Sequence, residues 1–68
     1  MERVPVSSSN LVSVGYDIDT MTLEVEFNSG IYQYYDVPEY VYDELMGAPS
    51  LGSYLHHNIK SSYLCARV

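Results

Sequence analysis

Between Leu11 and Tyr35 apolar and polar positions alternate, and beyond Val37 the apolar spacing lengthens to four. In Leu11–Asp17, Val12, Val14 and Tyr16 alternate with Ser13 and Gly15, the period-2 pattern of a half-buried strand. Thr22–Phe27 repeats it more clearly, with Leu23, Val25 and Phe27 on one face and Thr22, Glu24 and Glu26 on the other. A third stretch, Ile31–Tyr35, is rich in residues that favour strands. Asp17-Ile18-Asp19-Thr20 and Asn28-Ser29-Gly30 supply turn residues between the stretches, because short polar side chains bond nearby backbone amides. The pattern predicts a three-stranded antiparallel meander, with Tyr32 and Tyr34 on one face and Tyr35 on the other.

Val37-Pro38-Glu39 starts a different element. Proline is pre-organised for the first helical position and an acid there suits the positive end of the helix dipole. Val37, Val41 and Leu45 fall four apart, so a helix from Pro38 to Met46 can lay one side on the sheet before Gly47 and Pro49 stop it. Ser50 is a candidate N-cap for a second short helix with Leu51, Leu55 and Ile59 as its apolar stripe. Gly52 in that helix predicts close packing or a strained start. The expected fold class is therefore α+β, three antiparallel strands followed by two short helices packed on one face. Residues 1–9, ending in Ser7-Ser8-Ser9, read as a flexible lead-in, and residues 61–68 as a loosely ordered tail.

Length narrows the functional classes. A chain of 68 residues has room for one domain and buries roughly 60% of the surface its unfolded form exposes. Most large apolar side chains are then committed to offsetting chain entropy. With 47% hydrophobic and 18% charged residues the chain has a globular composition. No apolar run approaches the roughly 20 residues of a membrane span, and Met1-Glu2-Arg3-Val4-Pro5 lacks a secretory apolar stretch. A soluble, cytoplasmic protein without membrane association is expected, and the single cysteine, Cys65, fits a reducing compartment.

The net charge of −6 disfavours generic attraction to nucleic acid. Its distribution is uneven, since all nine acids lie in residues 1–46 with only Arg3 opposing them, whereas residues 47–68 hold Lys60, Arg67 and no acid.

Candidate chemistry is sparse. Eight tyrosines stand in a chain with no tryptophan and one phenylalanine, so tyrosine is expected to supply core bulk, above all at Tyr32 and Tyr34. Exposed rings can stack on unpaired bases. Tyr35, Tyr54, Lys60 and Arg67 are the tentative nucleic-acid-binding set, and with two cations they imply only a shallow salt dependence. His56 and His57 are adjacent and would point about 100° apart on a helix, which with Cys65 makes an incomplete metal site. Cys65 with a histidine base has no local catalytic signature. No enzyme activity, cofactor or metal is expected.

Several short motifs together resemble a known family, the KTSC domain. They are Ser8-Ser9-Asn10, Gly15-Tyr16-Asp17, Leu23-x-Val25-x-Phe27, Gly30 with Tyr32-Gln33-Tyr34, Val37-Pro38, Val41-Tyr42, Leu45, Ala48-x-Ser50-x-Gly52 and Ile59-Lys60-x-x-Tyr63. The resemblance implies a small module, usually a free-standing bacterial or phage protein and also found at the C-terminus of some lysyl-tRNA synthetases. Its function is unknown, and RNA binding is suggested by that fusion. His56 stands where the family commonly has asparagine, and the tail is less basic than in many members. The expected function is a small non-enzymatic binding or accessory module with an unidentified protein partner, weak RNA binding being the alternative. A monomer or weak homodimer is expected.

Overall fold

A computed structural model describes residues 1–68. It has the expected α+β class, but the sheet has five strands rather than three. The strands are β1 (Arg3–Pro5), β2 (Leu11–Asp17), β3 (Thr22–Phe27), β4 (Gly30–Tyr34) and β5 (Cys65–Arg67). They lie in the order β1-β2-β3-β4-β5 with every neighbouring pair antiparallel. The two additional strands come from the segments read as lead-in and tail. Each is three residues long and mostly exposed, so neither carries the buried alternation that reveals a strand in sequence. Pro5 is tolerated in β1 because an edge strand has a free hydrogen-bonding side.

The helices are α1 (Glu39–Gly47) and α2 (Leu51–Tyr54), which runs on into a π-helical segment, Leu55–Ile59. Ser50 caps α2 as expected, its Oγ accepting from the Ser53 amide at 3.3 Å. Lys60 N–H donates to Leu55 O at 2.8 Å, the widened i to i+5 bond. No helix is long and apolar enough to cross a membrane.

One core joins the sheet to the helices. Leu11, Val14, Leu23, Val25 and Tyr34 meet Val37, Val41, Leu45, Leu55 and Ile59. The spacing of four thus delivers the buried stripe at Val37, Val41 and Leu45 and again at Leu55 and Ile59, while Leu51 packs against the core only partly buried. The alternation in β2 is interrupted: Leu11 faces Phe27 and Ser13 faces Glu26, leaving Val12 without a partner. This bulge turns both Leu11 and Val14 inward and puts Val12 at 41% exposure, so the uniform stripe Val12, Val14, Tyr16 does not form. Gly52 has room for a Cβ, with contacts of 3.8 Å to Asn10 Nδ2 and 3.9 Å to Leu11 Cδ1, and its backbone needs neither close packing nor a positive φ.

Candidate cleft around Lys60

The sheet face away from the helices is closed by its own polar side chains. Arg3 ion-pairs with Glu24 and donates from Nε to Ser13 Oγ at 2.9 Å, and Ser13 donates to Glu26 at 2.9 Å. Gln33 Nε2 donates to the other Glu24 oxygen at 2.8 Å, and Tyr35 OH donates to Gln33 at 3.1 Å. The Gln33 hydrogen bond, with help from Arg3, holds the Glu24 carboxyl below its ordinary pKa against the opposing effect of burial. Tyr35, one of the four tentative nucleic-acid contacts, is tied into this network.

Tyr54 lies elsewhere. Its hydroxyl donates to Glu44 on α1 at 2.6 Å, and this bond to a carboxylate, with desolvation, pushes its pKa up to about 12. His57, beside it, directs Nδ1 at Ser53 O at 2.8 Å, which makes Nδ1 the protonated nitrogen. The rings of His56 and His57 meet edge to face at 5.1 Å, and no third His, Cys, Asp or Glu joins them in a cluster.

Lys60 and Arg67 are brought to one end of the molecule. Lys60, just past the π-helical segment, borders two open clefts. The first, about 340 Å³, lies between the start of β2, the β3–β4 turn and the second helix. It is lined by Asn10, Leu11, Phe27, Asn28, Ser29, Gly52, Leu55 and His56 together with Lys60. The second, about 330 Å³, is lined by Phe27, Ser29, Tyr32, Tyr34, Lys60 and Cys65. Phe27, Ser29 and Lys60 belong to both.

Local physics sets this geometry. The two-residue turn Asn28-Ser29 closes the β3–β4 hairpin, with Phe27 directly opposite Gly30. Phe27 and Tyr32 pack edge to face with centroids 5.5 Å apart, giving the clefts an aromatic floor. Arg67 on β5 donates from Nη2 to Ser29 O at 2.8 Å, and its guanidinium stands 5.9 Å from the centre of the Tyr32 ring. It therefore braces the β3–β4 turn, whose Ser29 borders both clefts. No carboxylate lines either cleft. Since Arg3 is paired with Glu24 and Glu26, Lys60 and Arg67 are the two cations not engaged by an acid, and both belong to this end.

Of the four residues read as tentative contacts, the structure thus groups Lys60 and Arg67, and places Tyr35 and Tyr54 apart from them. Asn10, Phe27, Asn28, Ser29, Gly52 and His56 complete the site. They come from three separated stretches of chain that only the folded topology joins, and no local pattern in the sequence singles them out as a site.

Several known proteins have similar chains, and one solved structure shares this architecture. A protein of Stutzerimonas stutzeri, described as uncharacterized, is 44% identical over 64 residues, covering 93% of this chain and 90% of its own. A lysine–tRNA ligase of Trichormus variabilis is 47% identical over 49 residues, which is 71% of this chain but 9% of the ligase. The crystal structure of a KTSC domain protein from Yersinia pestis superposes with a TM-score of 0.97 at 43% identity, covering 98% of this chain and 96% of that one. The KTSC domain description matches residues 7–63. The chain belongs to the KTSC domain family.

Proposed function

We propose that the chain is a non-enzymatic binding module that engages a protein partner through the clefts around Lys60. The observation that supports this most is a pair of clefts free of acids on an acidic molecule, with the unpaired cation Lys60 lining both, Arg67 beside them, and Phe27 and Tyr32 among their apolar residues. A cleft with an apolar floor and a few convergent polar groups is the usual form of a recognition site. Lys60→Glu reverses one exposed charge and leaves the core intact. A partner bound by the wild-type protein and released by Lys60→Glu supports the reading, whereas equal retention by both contradicts it.

A second reading, weak RNA binding, draws on the similar segment within lysine–tRNA ligases and on the convergence of Lys60 and Arg67. In it those cations meet phosphates while Phe27 and Tyr32 offer stacking surfaces; Tyr35 and Tyr54 take no part. Binding of a fluorescent single-stranded RNA at low salt, weakened by added salt and by Lys60→Glu, supports this alternative. Absence of a complex at low salt removes it.

A further inference from the structure

Resting on the protein-partner reading, we infer that the clefts take an acidic peptide segment that inserts an apolar side chain beside a carboxylate. Three features specify this chemistry. The first is charge: Lys60 stands where the two clefts meet, Arg67 braces the second through Ser29 O, and neither cleft has a carboxylate. An anionic group placed at Lys60 meets no repelling acid inside either cleft. The second is the floor. Leu11, Phe27 and Leu55 underlie the first cleft and Phe27, Tyr32 and Tyr34 the second, so each can receive one apolar side chain while the anion stays at the polar rim. The third is the supply of neutral hydrogen-bonding groups at that rim, Asn10, Asn28 and Ser29, which suits the amide backbone of a peptide.

The same features favour a peptide over a nucleic acid. A polynucleotide presents a phosphate at every residue along a track, and this surface offers two unpaired cations against a molecule of net charge −6. One or two carboxylates carried by a peptide need no longer basic path. Gly52 lines the first cleft without a side chain, beside Asn10 and Leu11, so a larger residue at this position would take up space that a peptide side chain needs.

The test uses the intact protein and short fluorescein-labelled peptides in anisotropy titrations. One peptide alternates glutamate and leucine, a second replaces glutamate by glutamine, a third replaces leucine by serine, and a short single-stranded RNA is run alongside. The glutamate–leucine peptide is expected to bind best and to weaken with added salt. Lys60→Glu is expected to weaken it by about tenfold or more, the factor equivalent to ~1.4 kcal/mol. Equal binding of the glutamine and glutamate peptides, both lost in Lys60→Glu, overturns the anionic preference while leaving the protein-partner reading standing. Tighter binding of RNA than of any peptide overturns both. Failure of all peptides to bind, or binding that ignores Lys60→Glu, overturns the inference.

Discussion

The guanidinium of Arg67 lies against Gly30 where any other residue would place its Cβ: a Cβ built there falls 2.9 Å from both Nε and Nη2. Gly30 also has φ +151°, a conformation that other residues rarely adopt. The glycine therefore serves the hairpin backbone and the docking of β5 together. Gly30→Ala is expected to destabilise the domain by about 1–3 kcal/mol in urea unfolding and to displace Arg67 from Ser29 O. Arg67→Ala is expected to reproduce the second effect, loss of the bond to Ser29 O, without the backbone strain, and so to destabilise the domain less in the same urea unfolding.

Tyr34 and Tyr32 share a sheet face and differ in depth. Tyr34 is 3% exposed within the core, whereas Tyr32 packs against the core from its edge, beneath Arg67. Tyr34→Ala is expected to cost about 3–5 kcal/mol, in the range of large core truncations. Tyr32→Ala is expected to cost less. Chemical denaturation of the two variants measures the difference, and equal losses would contradict the assigned depths.

The strands legible in the sequence were those with one buried face. Leu23, Val25 and the pair Tyr32 and Tyr34 announce themselves by alternation, and Val37, Val41 and Leu45 by spacing. Edge strands β1 and β5 bury no side of their own, so Arg3–Pro5 and Cys65–Arg67 look like polar or irregular chain until their backbones pair. The bulge at Val12 was hidden for a related reason, since local alternation continues through it while the partner strand skips a residue. The candidate site was half legible. Lys60 and Arg67 stood out by charge, but their union with Asn10 and Phe27 depends on long-range packing.

Glu24 links β1 to the sheet through charge. Its pKa is lowered in the fold from the ordinary 4.5, first by the Gln33 hydrogen bond and then by Arg3. A lowered carboxylate pKa means that the folded state favours the ionised form. Its stabilising contribution is therefore complete above the ordinary value and is lost as pH falls below 4.5 through the lowered folded value. Urea midpoints measured from neutral pH into this acid window are expected to fall in the wild type. Glu24→Gln is expected to start less stable at neutral pH and to show a shallower fall.

The Tyr54–Glu44 contact is accessible to a spectroscopic titration. With its pKa at about 12, the Tyr54 phenol should ionise later than an unperturbed tyrosine at about 10. In Glu44→Gln the carboxylate is gone, and one tyrosine is expected to return toward the ordinary range in an ultraviolet titration. An unchanged titration would show that Glu44 does not hold the hydroxyl.

The cleft itself is tested most directly through Gly52. In Gly52→Leu a large side chain occupies the first cleft, Gly52 has room for a Cβ, and leucine is a better helix former than glycine, which is about 0.8–1.0 kcal/mol worse than alanine, so the fold is expected to persist. The decisive measurement is affinity for the glutamate–leucine peptide in wild type and Gly52→Leu, with folding of both verified by circular dichroism. The account predicts a folded variant that binds at least about tenfold more weakly. A folded variant that binds as well as the wild type would contradict it.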